Sequence, residues 1–265
     1  MPITPVEILS LLAVGLAAGL LGGLLGIGGS VIMIPAMVFL FHDRAWDNQH
    51  LYQAAAMVVN IVVALPAMRR HQQAGAIPRE YVRVFLPVTM VFMVVGVLLS
   101  NLLGGDILRR IFALFLVYVV VSTASKVFRR SADHKPEHTR ITPQRSGFIG
   151  IATGTMGGLL GIGGGIVSVP LAHLICKLPL RSAIAASAST MVFSSTLGAA
   201  LKIATLGQHH VSWSQAMLLA AVLAPTALLG GHFGAGLTHR APINAMRLIM
   251  AVVLAVMAAR MTGLF

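Results

Sequence analysis

Apolar positions in this chain come in long runs, separated by short polar loops, rather than in the strict alternation of half-buried strands. The first run covers residues 6–41. As one helix it would be about 54 Å long, against a hydrocarbon core of about 30 Å, so it is too long for a simple membrane span. A polar loop at 42–50 and an apolar helix at 51–68 follow, then a basic loop carrying Arg69, Arg70, Arg79 and Arg83. Further apolar segments are read at 84–103 and 107–127, joined by a tight Gly104-Gly105-Asp106 turn. After a basic stretch the pattern repeats: a long run at 147–176, a connection at 177–181, and segments at 182–206, 211–237 and 242–261.

Both long runs carry the same motif. Residues 19–35 read GLLGGLLGIGGSVIMIP and residues 154–170 read GTMGGLLGIGGGIVSVP, with a constant offset of 135 and ten identities in seventeen positions. This is an internal duplication, and Pro87 and Gly96 find counterparts in Pro225 and Gly234. Glycine costs a helix about 1 kcal/mol relative to alanine. The clusters at 26–29 and 161–165 should therefore open the helix, and irregular backbone at membrane depth is tolerated where it lines a site.

Composition narrows the class. The chain is 57% hydrophobic and 10% charged, with a mean hydropathy of +0.88, whereas about a quarter of the residues of a soluble domain are charged. It reads as an integral membrane protein. The net charge of +12 would suit nucleic acid only on a soluble module with a basic face; here the cations lie between apolar segments, so nucleic acid is not an expected partner. Cys176 is the single cysteine, which excludes an intramolecular disulfide and a cysteine-based metal site. The N-terminus shows no basic region and no convincing cleavage site, so it reads as a retained segment.

Lys and Arg positions bear on topology. With the basic linker inside and each long run crossing fully, Arg44, Arg109, Arg110, Lys177, Arg181, Arg240 and Arg247 lie outside. With each long run turning back at its glycines, only Arg44, Arg109, Arg110, Lys202 and Arg260 do, and the positive-inside rule prefers this arrangement. Equivalent loops then carry opposite charge bias, as inverted repeats require. The expected fold is an all-α polytopic membrane protein of two homologous halves, related as inverted repeats, each with a Gly-broken first segment and three further membrane helices. The first repeat is 1–128, a basic cytoplasmic linker is 129–146, and the second repeat is 147–265.

A helix starting at Ser30 or Gly165 offers free backbone N–H groups and about half a positive charge, which suits an anion. Spacings such as Gly15, Gly19, Gly23 and Gly157, Gly161, Gly165 equally serve close helix packing. A nucleotide-binding loop fits neither copy.

The doubled G-x-x-G-G-x-x-G-x-G-G run ending in proline, each copy followed by a small-residue helix and a pair of spans, resembles the sulfite exporter TauE/SafE family of anion permeases. The resemblance covers essentially the whole chain. It implies a carrier in the cytoplasmic membrane for sulfite, sulfoacetate or related sulfonates. One departure stands out: the second-half helix carries Ser187, Ser189, Thr190, Ser194, Ser195 and Thr196, whereas the matching first-half stretch is Ala54-Ala55-Ala56-Met57, with Asn60 as its polar group. Side-chain contacts to substrate should thus come mostly from the second half.

All seven acids fall in loops or at segment ends, which argues against a classical proton or sodium antiporter. Lys202 either attracts the anion or snorkels to the interface. His173 and His232 read as hydrogen-bonded structural residues, and the histidine pairs 134/138 and 209/210 lack a third metal ligand. The expected substrate contacts are Gly28, Gly29, Ser30, Asn60, Gly163, Gly164, Gly165, Ser187, Ser189, Thr190, Ser194 and Lys202, with no metal and no cofactor. Passage of a carboxylate or inorganic oxyanion is the alternative within transport. A membrane enzyme would need a buried nucleophile with a base or paired carboxylates, and a sensor subunit would normally add a soluble output domain.

Overall fold

The computed structural model describes residues 3–42, 47–128, 134, 136–238 and the isolated positions 242, 248, 252, 255 and 256; side chains at 119 and 122–128 are outside that description. Residues 129–133 and 135 of the linker and most of the expected last segment, 242–261, therefore lie outside the described residues. All regular structure within them is helical.

The first long run is two helices, α1 (Pro5–Leu25) and α2 (Ser30–Leu40). Three more follow: α3 (Gln49–Gln73), α4 (Arg79–Asn101) and α5 (Gly105–Phe128). The second long run is again two, α6 (Pro143–Leu160) and α7 (Gly165–Ile175), then α8 (Leu180–Thr205) and α9 (Trp213–Leu237). Among the described residues, five helices are long and apolar enough to cross a membrane: α1, α3, α4, α8 with its 3-10 extension to His209, and α9. At 11 residues each, α2 and α7 reach only about 16 Å.

The two broken segments start and stop by the same local chemistry. Thr4 caps α1 in a reciprocal box with Glu7, with Pro5 in the first turn, and Thr142 caps α6 ahead of Pro143. Threonine accepts an orphan N–H and proline needs no acceptor there. Each helix then ends on a glycine in the left-handed region, Gly26 at φ 64° and Gly161 at φ 72°, a conformation that a β-carbon disfavours.

After the break the chain doubles back. A β-carbon on Gly22 would fall 2.8 Å from Gly28 C, and one on Gly29 3.2 Å from Ala18 O. Phe41, just beyond α2, stacks on Tyr52 in the first turn of α3. In the second half Gly157 faces Gly164 at 2.8 Å, and Arg145 Nη1, at the start of α6, donates to Ile175 O, at the end of α7, at 3.5 Å. The two pairs are hairpins, and their tips touch. A β-carbon on Gly165 would fall 2.7 Å from Gly26 O.

Each hairpin packs against the other half. Helix α1 runs alongside α9 in the same direction, Gly15 at Leu223, Gly19 at Ala227 and Gly23 at Gly231, while α6 runs alongside α4, with Gly150 at Phe85, Gly154 at Thr89 and Gly158 at Met93. Between them α3 and α8 lie antiparallel: His50 meets Lys202, and Asn60 and Met191 approach the same Gly28. Apolar burial gives little drive between helices in lipid, so close approach of small residues carries the packing. Large apolar side chains such as Leu9, Val91, Leu114 and Leu229 are left exposed on the outside, where lipid chains solvate them.

Candidate functional site

The two glycine turns meet near the middle of α3 and α8, and Asn60 stands between them. Its Oδ1 accepts from Gly29 N at 2.9 Å and Ser30 N at 3.1 Å, and its Nδ2 donates to Ser30 Oγ at 2.9 Å. The N-terminus of α2 is thus capped by a side chain from another helix. Two orphan donors that a substrate could have taken are already satisfied.

Among the described residues the N-terminus of α7 has no such partner. Gly163 and Gly164 both adopt positive φ, 68° and 88°, and no side chain caps the helix. Ser194 Oγ donates to Gly163 O at 3.1 Å, which steadies the turn without occupying its N–H groups. Ser195 is 0% exposed, and its hydroxyl has no hydrogen-bond partner among the described residues. It abuts the turn, 2.5 Å from where a β-carbon of Gly163 would be, and Asn60 Nδ2 lies 3.2 Å from the same point. The Cγ2 methyl of Thr153 on α6 presses on Gly164, and the buried hydroxyl of that residue has no partner among the described residues. Glycine is required here twice over, by backbone angle and by crowding. An uncapped helix start, the buried Ser195 hydroxyl and a carboxamide N–H of Asn60 converge on one small volume, a donor set suited to an oxyanion.

The other expected contacts fall in different places. Ser187 Oγ donates to Gly26 O at 2.7 Å and accepts from Ser168 Oγ at 2.8 Å, so it ties α7 and α8 to the first turn. Ser189 and Thr190 donate to carbonyls of their own helix, Ala185 O and Ala186 O; such back-bonding occupies the hydroxyl proton. Lys202 lies seven residues beyond Ser195, about 10 Å along α8. It is 1% exposed and donates to Ser100 Oγ at 2.8 Å, His50 Nδ1 at 3.0 Å and Asn101 Oδ1 at 3.1 Å. It neither touches the turns nor snorkels to the surface.

Sequence reading passed over Gln53, Ser100 and Thr153. Gln53, in the second turn of α3, donates from Nε2 to Leu159 O at 3.1 Å, and its methylenes press on Gly161. The signal was present in each case: a glutamine, a serine and a threonine inside runs otherwise apolar. At the far end of α3, a cavity of about 670 Å³ opens between α3 and α9, lined among others by Leu65, Arg69, Arg70, Gln73 and His232. Arg70 Nη2 lies 2.7 Å from His232 Nε2. Among the described residues no cluster of three His, Cys, Asp or Glu could hold a metal.

A family model described as Sulfite exporter TauE/SafE matches residues 11–261. A probable membrane transporter protein of Bacillus subtilis, YunE, is 26% identical over 92% of this chain and 93% of its own length. The probable membrane transporter protein MamO of Magnetospirillum gryphiswaldense is 25% identical over 96% of this chain and 45% of its own. The chain thus spans about half the length of that relative. A probable membrane transporter protein of Haemophilus influenzae is 30% identical over 62% of this chain and 61% of its own length.

Proposed function

The chain belongs to the sulfite exporter TauE/SafE family, and from that premise we propose that it is a permease carrying a small sulfur-containing or organic anion, such as sulfite or sulfoacetate, across the cytoplasmic membrane. The observation that carries the reading is the open N-terminus of α7, with the buried Ser195 hydroxyl, unpartnered among the described residues, against it. The anion accepts from N–H groups of the Gly163–Gly165 turn, from Ser195 and from Asn60 Nδ2. Asn60 serves the first turn as a built-in substitute for a second anion. Gly28, Gly29 and Ser30 therefore shape the site from behind Asn60, and Ser187 and Ser194 hold the two turns in place.

In this reading α1–α2 and α6–α7 are re-entrant hairpins entering from opposite faces, and the halves are inverted repeats. The antiparallel pairing of α3 with α8, and the reciprocal packing of α1 on α9 and α6 on α4, support it. The linker and the basic end of α3 face the cytoplasm, where the Arg69, Arg70 and His232 cavity is the anion's inner approach. Alternating access then moves one hairpin and its partner helix against the other around the touching tips. No charged side chain is needed at the tips, because a desolvated N–H cluster at a helix start supplies the field.

Flux in proteoliposomes tests this, with sulfite, sulfoacetate and sulfate loaded in turn and wild type compared with Ser195→Ala and Gly163→Ala. Ser195→Ala removes a buried hydroxyl that bonds nothing, so the fold should keep its melting temperature or gain slightly. Its flux should fall at least fivefold. Gly163→Ala puts a methyl where the anion sits and should abolish saturable uptake. Saturable flux indifferent to both substitutions would remove the anion from this turn.

A further inference from the structure

Resting on the anion-carrier reading, we infer that Lys202 and His50 form a proton site whose occupancy is coupled to anion binding at the α7 turn through Ser100 and Gln53. His50 Nε2 lies 3.2 Å from Leu103 O. A carbonyl can only accept, so Nε2 carries the ring proton and Nδ1 of the neutral ring is an acceptor. Lys202 therefore meets three acceptors, His50 Nδ1, Ser100 Oγ and Asn101 Oδ1. An ammonium has three N–H bonds to give and an amine only two. The network is complete only when the proton is present.

Among the described residues the charge that proton brings has no counter-ion. Among the described residues no acid contacts Lys202: Asp47, at the same end, is taken by Arg109 and by Tyr52. The titratable groups facing the cluster are His50 on α3 and His209 on the turn after α8, whose rings stack at 3.5 Å. Helix α4 contributes only neutral Ser100 and Asn101. His173 on α7 bonds Leu178 O, and His232 on α9 bonds Arg70 at the opposite end of the molecule. A buried charge with no acid against it costs several kcal/mol, and three hydrogen bonds from Nζ stand on the other side of that balance. A side chain balanced in this way inside a membrane protein is a place for a coupling ion.

The site is wired to the turn. Ser100 Oγ, which accepts from Lys202, donates to Gln53 Oε1 at 3.2 Å; Gln53 Nε2 donates to Leu159 O, one residue before the end of α6, and packs on Gly161. Losing the proton costs one of these acceptors its donor and lets the chain from Ser100 to Leu159 shift. The anion also supplies part of the missing counter-charge. With the turn about 10 Å away along α8, an effective dielectric near 20 makes protonation and anion binding favour one another roughly tenfold. The coupling is reciprocal, and it makes the carrier a proton–anion symporter in which the proton leaves to water when the anion does.

The test loads proteoliposomes with a pH-sensitive dye and pulses sulfoacetate outside, an anion whose charge is constant between about pH 6 and 8 because its carboxyl titrates near 4; sulfate is the second probe. Wild type should acidify the lumen in step with labelled anion uptake. Lys202→Met should lose the acidification. Gln53→Met, which keeps Lys202 and His50 but cuts the relay, should lower protons moved per anion at least fivefold while uptake falls less; Ser100→Ala should do the same. Anion entry in wild type without acidification, or a wild-type proton-to-anion ratio in Gln53→Met, overturns the coupling and leaves the carrier reading intact. Absence of uptake for every anion takes both down together.

Discussion

Replacing Asn60 by alanine and by aspartate separates the cap on α2 from the proximity of that cap to the anion. Alanine leaves Gly29 N and Ser30 N without an acceptor in a buried site. Each orphan costs about 1–3 kcal/mol, so the variant should be about 2–6 kcal/mol less stable. Aspartate keeps an acceptor for both N–H groups and gains from the helix start, which offsets part of the cost of burying its charge; its melting temperature should lie between those of wild type and Asn60→Ala. The new charge would sit where Nδ2 now lies, 3.2 Å from the β-carbon position of Gly163. An anion hydrogen-bonded to the turn is then about 5 Å from that carboxylate, and at an effective dielectric near 20 the repulsion is about 3 kcal/mol. Anion affinity should drop roughly a hundredfold. Thermal melts in detergent and concentration-dependent uptake read the two effects separately. An aspartate variant with wild-type affinity refutes the placement of the anion at this turn; one that melts as low as the alanine variant refutes the cap.

Gly165→Ala drives a methyl into backbone atoms of Gly26 and Ile27 at 2.7 Å, neither of which can rotate away, so it should lower the melting temperature more than any single hydroxyl deletion among the described helices. Gly234→Ala should force α1 from α9, because Leu20 O and Leu24 N already crowd that position, whereas Gly104→Ala, with nothing within 4 Å, should melt like wild type. Cys176 is fully buried just beyond α7, and burial pushes its thiol up from 9.0, with Arg145 pulling part way back. A charged maleimide should therefore label it at pH 8 only after melting. The unfolded thiol ionises before the folded one, so this group's contribution to stability should fall as pH rises past about 9; pH-dependent melts of wild type against Cys176→Ala check the sign.

Much of this molecule was written in its apolar runs. Their lengths required more than simple spans, and the duplicated glycines located both breaks to within a residue, because a left-handed helix end and adjacent glycines leave a direct mark on sequence. The same glycines then divided between two uses. Gly15, Gly19 and Gly23 are packing surface against α9, while Gly26, Gly28, Gly161, Gly163 and Gly164 are turns with positive φ. Spacing alone could not separate them, since i, i+4 rows look alike whether they meet a partner helix or end at a break.

What the chain could not announce from its own order is which polar groups would be consumed by the fold. Asn60 reads as a ligand through its whole carboxamide, yet its Oδ1 is taken in capping α2 from 30 residues away, and Ser189 and Thr190 spend their protons on their own helix. The hydroxyls of Ser195 and Thr153 are left without a partner among the described residues. Lys202 reads as an isolated cation near a loop, yet meets His50 and Ser100 across 152 and 102 residues. Apolar periodicity and glycine chemistry are local properties, so the sequence by itself determined the helices, their breaks and the membrane. Hydrogen-bond partnership depends on which helices lie antiparallel, and only the tertiary structure decided that.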